Sequence, residues 1–178
     1  MENNNGEVNK AVEIFKEWGI PILLAFALVI FIHKFLFFNI EVPTLSMYPT
    51  IQANDRILVT RVHNTDKLQR GDIVVFHSNK DEKDLIKRLV GLPGDTVEYT
   101  KEGKMFINGE LVDEPYVLNP GGKAGKFEVP QGNFLFMGDN RSGSEDSRSW
   151  ENPYITQDKI MGKAQIVIFP FSRFGKLK

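Results

Sequence analysis

The chain has 178 residues, 42% hydrophobic and 25% charged. That supports one folded domain with an appendage, and a net charge of −1 supplies no global field for nucleic acid or anionic lipid. The absence of cysteine excludes disulfides, thiolate catalysis and cysteine-ligated zinc. Histidine is confined to His33, His63 and His77, so no imidazole-based metal site and no cofactor are expected.

The first forty residues are set by one apolar run, residues 19–40. Gly19 to Ile32 carry no charge, and Phe35 to Phe38 continue the run after His33 and Lys34. As a helix it would measure roughly 33 Å, against a hydrocarbon layer of ~30 Å. Pro21 falls in the first turn, where proline is tolerated, and Trp18 stands where an interfacial aromatic would hold the end. Lys34 has a stem long enough to reach back toward head groups. A removable signal peptide would need an A-x-A-like site, and Asn39-Ile40-Glu41-Val42-Pro43 is a poor one. A buried core helix is the other alternative, because the uncharged stretch alone is short. The expected reading is a retained anchor over 19–40 after an N-terminal segment of residues 1–18. Val8, Ala11, Val12 and Phe15 recur in that segment at helical spacing over residues 7–17. Charges on the two flanks do not decide the orientation.

After Thr50 the pattern is that of strands. Residues 56–62, 72–76, 84–90, 95–99, 104–107, 110–112, 133–137 and 164–169 are short runs rich in β-branched and aromatic residues. Asn108-Gly109 between two of them signals a tight hairpin. Residues 113–130, with Pro115, Pro120, Gly121, Gly122, Gly125 and Pro130, read as an irregular exposed loop. The expected fold is an all-β domain over 41–178, its antiparallel sheets coiled or closed to protect their edges, on a single N-terminal transmembrane helix.

Three segments carry chemistry. In V-P-T-L-S-M-Y-P-T, Val42 to Thr50, Pro43 and Pro49 bias Val42 and Tyr48 toward extended backbone and hold Ser46 in a stiff segment. The bland alternative is a juxtamembrane linker. A serine nucleophile needs a base. No local pattern recommends a histidine. Lys87, in D-L-I-K-R-L-V, alternates with Leu85 and Leu89, while Arg88 alternates with Ile86 and Val90. Periodicity does not say which face is buried, but arginine does not deprotonate, so of the two only Lys87 could be a base; a solvated strand lysine is the alternative, and a Ser/His/Asp triad stays open. The third segment, Gly138 to Trp150, interleaves Asp139, Asn140, Arg141, Asp146 and Arg148 with glycine and serine. Pairing of Arg141 and Arg148 with Asp139 and Asp146 would make it a wall that fixes other groups. A plain polar loop is the alternative.

Together these segments resemble the type I signal peptidases, membrane serine proteases of bacteria. The family's Ser-Met-x-Pro-Thr is here Ser46-Met47-Tyr48-Pro49-Thr50, and its K-R-x-x-G-x-P-G-D is Lys87 through Asp95. Its G-D-N-R-x-x-S-x-D-S-R is Gly138 through Arg148, and Arg70 to Phe76 match the strand before the lysine. The likeness runs in order over nearly the whole chain. It departs at Thr44, often serine, at Leu45, often glycine or an acid, and at Ser149-Trp150-Glu151, where a glycine is common.

The resemblance implies Ser46 as nucleophile and Lys87 as general base, with Ser144 orienting the lysine. It implies an oxyanion hole from the Ser46 backbone N–H and the Thr44 hydroxyl. Val42, Met47, Ile51, Val75, Asp84, Leu85 and Ile86 would form the substrate-binding surface, with Asp139, Asn140, Arg141, Asp146 and Arg148 in support. The implied partners are the signal peptides of secretory preproteins, cut after A-x-A-like sites, and the lipid bilayer, not nucleic acid. The implied state is a monomer in the plasma membrane, N-terminus cytoplasmic and catalytic domain outside. A self-cleaving repressor-type Ser-Lys protease and a non-catalytic envelope binding module are the alternatives.

Overall fold

The computed structural model of the chain describes residue 13, residues 15–78, residue 80 and residues 82–177. The helical spacing at Val8, Ala11 and Val12, and most of the expected segment 1–18, lie outside the described residues. The chain divides into two compact units, one reaching Phe38 and the other spanning Asn39–Lys178.

In the first unit a π-helical turn, Phe15–Gly19, leads into α1, Ile20–Phe35. Together they make 21 residues, about 32 Å of helix. None of α1 is buried, and Leu24 and Phe26 are 64% and 69% exposed. A helix apolar on every side and covered by no protein is stable only in an apolar solvent, which removes the core-helix alternative. The helix stops at Phe35 rather than running to residue 40. Leu36 closes it by donating its N–H to Ile32 O at 2.9 Å, and β1, Phe37–Glu41, begins at once. From Asn39 to Val42 exposure alternates with period two, and Pro43 then holds Val42 extended.

The second unit continues with β2 (Arg56–Arg61), β3 (Ile73–Ser78), β4 (Lys83–Gly91), β5 (Thr96–Tyr99), β6 (Met105–Ile107) and β7 (Glu110–Val112). After these come β8 (Gly125–Glu128), β9 (Asn133–Met137), β10 (Tyr154–Thr156), β11 (Ile160–Phe169) and β12 (Gly175–Lys176). The larger sheet has the order β1-β2-β11-β3-β4-β9-β10, with β12 on β11; the smaller is β7-β6-β5-β8. Every register resolved is antiparallel. The hairpin at Asn108-Gly109 forms, with φ of +53° and +87° at the two turn residues, as its mirror-image turn requires.

The eight expected strands are all present, most within two residues at each end. β11 begins four residues earlier than expected, because Ile160 and Gly162 pair with Phe76 and Val75 of β3. The segment 113–130 is not simply a loop. Gly125–Glu128 pairs with β5, Phe127 opposite Val97, a long-range pairing that a stretch with one strong strand former does not announce.

Two apolar clusters organise this unit. Val74, Phe76, Leu89, Phe134, Phe136, Trp150, Ile155 and Ile160 form one, with the Phe76 ring stacked on Phe136 at 4.4 Å. Val90, Leu135 and Met137 of the larger sheet join Val97, Tyr99, Met105 and Ile107 of the smaller one in the other. β4 serves both clusters, so residues 86–91 are buried without a break. Gly91 lies where the small sheet packs closest: a methyl group there would come within 2.9 Å of Leu135 Cβ and of Val129 Cγ2. We predict that Gly91→Ala costs about 1–3 kcal/mol through overpacking, read as a lowered thermal midpoint in detergent.

Candidate active site

Residues 46–50 form consecutive turns. Tyr48 N–H donates to Leu45 O at 3.1 Å and Ile51 N–H to Met47 O at 2.9 Å. The turns are tied to the 138–148 wall. Asn140 donates its N–H to Ser46 O at 3.1 Å and its Nδ2 to Leu45 O at 3.1 Å. Thr50 Oγ1 donates to Asp139 Oδ2 at 2.5 Å. On the far side, Arg173 donates to Thr50 O while pairing with the buried Asp55. Ser46 is thereby held from three directions at 8% exposure.

Lys87 meets it from the middle of β4. Its Nζ lies 2.7 Å from Ser46 Oγ, in a buried hydrogen bond, and donates also to Ile86 O at 3.2 Å. Periodicity left open which face of β4 is buried; both are, with Lys87 4% and Arg88 2% exposed. Burial lowers the Lys87 pKa from 10.5 to about 8, with help from the like charge of Lys83 and against the pull of Asp146, Asp139 and Glu145. The Thr44 hydroxyl stands 3.3 Å from Ser46 Oγ.

The pair opens into a cleft of about 530 Å³. Val42, Val75, Asp84, Leu85 and Ile86 line it, together with Ile40, Leu45, Lys83 and Glu145. Met47 and Ile51, expected on the substrate-binding surface, do not line it: both are fully buried beneath the turns, where the 47–51 hydrogen bond carries them inward. Leu45 is the reverse case, 54% exposed at the cleft beside Ser46.

The wall departs from expectation in its pairings. Asp146 and Arg148 do pair, at 2.8 and 2.9 Å. Asp139 does not take Arg141. It takes Arg88, whose Nε and Nη2 donate at 2.8 and 2.6 Å. Arg141 goes instead to Glu114, with two bonds of 2.6 Å. The reason is topological. β4 and β9 are paired neighbours, with Arg88 opposite Met137, so Arg88 reaches the start of the wall, while Arg141 lies farther along and faces the 114–122 segment. The expected bond from Ser144 to Lys87 is also not made. Ser144 Oγ is buried without a hydrogen-bond partner, close over Gly138, where a methyl group would come within 2.2 Å of it. Glu114 and Tyr116 escaped the sequence reading because Asp113-Glu114-Pro115-Tyr116 opens a stretch that otherwise looks like loop; a carboxylate and an aromatic around a proline were the available signal.

With this geometry in hand, the comparisons are specific. The family model for signal peptidases, peptidase S26, matches residues 15–169. Signal peptidase I T of Bacillus subtilis strain 168 is 36% identical, over 99% of this chain and 98% of its own. Signal peptidase I P of Bacillus subtilis subsp. natto is 39% identical, over 91% and 92%. Signal peptidase IB of Staphylococcus aureus strain COL is 37% identical, over 89% and 91%. A crystal structure of a signal peptidase I from Enterococcus faecalis V583 is 32% identical, with a TM-score of 0.49 over 55% of this chain and 96% of that one. The chain belongs to the signal peptidase family, peptidase S26. It is a serine peptidase, and its apolar helix makes it a membrane-anchored one.

The Arg88–Asp139 pair is sealed, with side chains 2% and 0% exposed. Removing one partner strands a buried charge. Asp139→Ala is expected to cost about 3–5 kcal/mol, measured as a fall in the thermal midpoint relative to the parent chain.

Proposed function

We propose that the chain removes N-terminal signal peptides from secreted preproteins, with Ser46 as nucleophile and Lys87 as general base. One observation carries the assignment: the 2.7 Å contact between a buried serine hydroxyl and a buried amine whose pKa is brought down to about 8. In the reactive form the amine is neutral and takes the Ser46 proton as Oγ attacks the scissile carbonyl. The tetrahedral oxyanion is met by the Ser46 backbone N–H and the Thr44 hydroxyl. The protonated lysine then gives its proton to the departing amine, leaving an ester on Ser46. Water, deprotonated by the same lysine, hydrolyses the ester and frees the serine.

The cleft suits an extended substrate. β9 pairs with β4 only at Arg88, Leu89 and Gly91, so on that side the strand edge before Arg88 is open beside Ser46. A peptide added there as a strand would send alternate side chains against Val42, Val75 and Ile86, shallow apolar surfaces that fit small residues one and three positions before the cut. The curated relatives are named signal peptidases, and a membrane helix on the enzyme matches a substrate whose apolar segment also enters the bilayer. The helix that ends at Phe35 acts as the anchor, with the N-terminus cytoplasmic and the peptidase unit on the outer side of the plasma membrane as a monomer. A repressor-type protease would carry a helical nucleic-acid-binding unit ahead of the sheet; among the described residues that position is held by an apolar helix.

Lys87→Arg keeps the charge and cannot act as a base. It is expected to be as inactive as Lys87→Ala in cleavage of a purified preprotein, and turnover near the parent rate would end the lysine-base reading. The pH profile has a stated sign. The base must be neutral, so kcat/KM rises with pH, is half-developed near pH 8, and falls about tenfold per unit below it. A profile complete by pH 6 would point to a carboxylate.

A further inference from the structure

We propose that Glu114 and Tyr116, on the segment that follows the small sheet, are positioning residues for the Ser46–Lys87 pair. This inference rests on the dyad reading above.

The geometry runs through two buried arginines. The ring of Tyr116 lies over the Arg88 guanidinium, 3.8 Å from Cζ to centroid. Arg88 is the residue after Lys87, and consecutive side chains of a strand leave on opposite faces. Clamping Arg88 on one face therefore fixes the strand where Lys87 departs on the other. Arg88 in turn forks onto Asp139, which accepts Thr50 Oγ1 from the turns that carry Ser46. The nucleophile's segment and the base's strand thus meet at one guanidinium–carboxylate pair, and Tyr116 covers it.

Glu114 holds the second arginine. It takes Arg141 in two 2.6 Å bonds and also accepts the Tyr116 hydroxyl at 2.6 Å, so the two residues act as one unit. Burial and the neighbouring carboxylate raise the Tyr116 pKa, so the phenol stays a donor. Arg141 Nε donates to Gly138 O at 2.9 Å, and Gly138 packs close against the Ser46 backbone: a methyl group there would come within 2.4 Å of Ser46 O. Around this core the segment is sewn to the wall. Ser142 N–H donates to Asn119 O, and Arg148 donates to Gly121 O. Tyr99 of β5 places its ring near both Arg141 and Arg148, at 5.3 and 5.0 Å. None of these groups lines the cleft. Their effect is on where Ser46 and Lys87 stand, not on what the substrate touches.

The test compares Tyr116→Leu, which removes the aromatic face, with Tyr116→Phe, which keeps it. Steady-state cleavage of a preprotein is measured with the full chain in detergent, alongside thermal midpoints. Tyr116→Leu is expected to lower kcat by about 10- to 100-fold, the scale of a misplaced reacting group, with KM within about twofold of the parent. Tyr116→Phe is expected to recover kcat to within about threefold, in line with a clamp made by the ring. A folded Tyr116→Leu enzyme with parental kcat overturns the proposal, as does a loss carried by KM. If Tyr116→Leu does not fold, Glu114→Gln is read instead, with the same fall in kcat expected at constant KM, and unchanged kcat overturning. Lys87→Ala in the same assay separates the two readings. An active Lys87→Ala removes the dyad and this inference together; an inactive one beside a fully active Tyr116→Leu removes only this inference.

Discussion

Everything in this molecule depends on keeping one amine dry. An ammonium group is stabilised by water, and the fold takes that water away: Lys87 is 4% exposed, among apolar neighbours on a strand buried over six consecutive residues. The displacement of its pKa from 10.5 to about 8 corresponds to about 3 kcal/mol against the charged form. Asp146, Asp139 and Glu145 pull the other way, and burial outweighs them. Asp139 is neutralised by Arg88 and Asp146 by Arg148, both in sealed pairs.

This explains the division of labour between the sheets. The larger sheet supplies the strand of Lys87, the turns of Ser46 and the open edge of β4. The smaller sheet contributes nothing to the cleft lining, yet it covers the reverse side of β4 and β9 and delivers Tyr99, Glu114 and Tyr116 to the arginines. Without that cover Arg88 and Arg141 would face solvent, and their pairs would weaken toward the small values of exposed ion pairs. The ordered position of Ser46 is thus a property of both sheets.

The serine block, the lysine block and the wall were legible as local patterns because each carries residue types with restricted uses: proline-bracketed serine, a lysine in an apolar alternation, acids and arginines interleaved with glycine. Strand positions were legible for a similar reason, since period-two runs of β-branched and aromatic residues report a half-buried extended chain. Where residues lack such signals the reading failed. Gly125–Glu128 became a strand only because β5 offered an edge. Met47 and Ile51 sit in the same block as Ser46 and yet turn inward, because a turn, unlike a strand, has no fixed alternation.

The chain by itself determined the apolar helix and the β character, which follow from local periodicity, while Ser46 and Lys87 stood out as candidates through the resemblance of their blocks, in order, to a known family. Tertiary structure alone decided that Ser46 and Lys87, 41 positions apart, stand 2.7 Å from each other. It decided that Asp139 pairs with Arg88 and Arg141 with Glu114, because pairing partners are set by strand neighbours in space. And it decided the drop in the lysine pKa, because burial is a property of the surrounding atoms and is not encoded in any one segment.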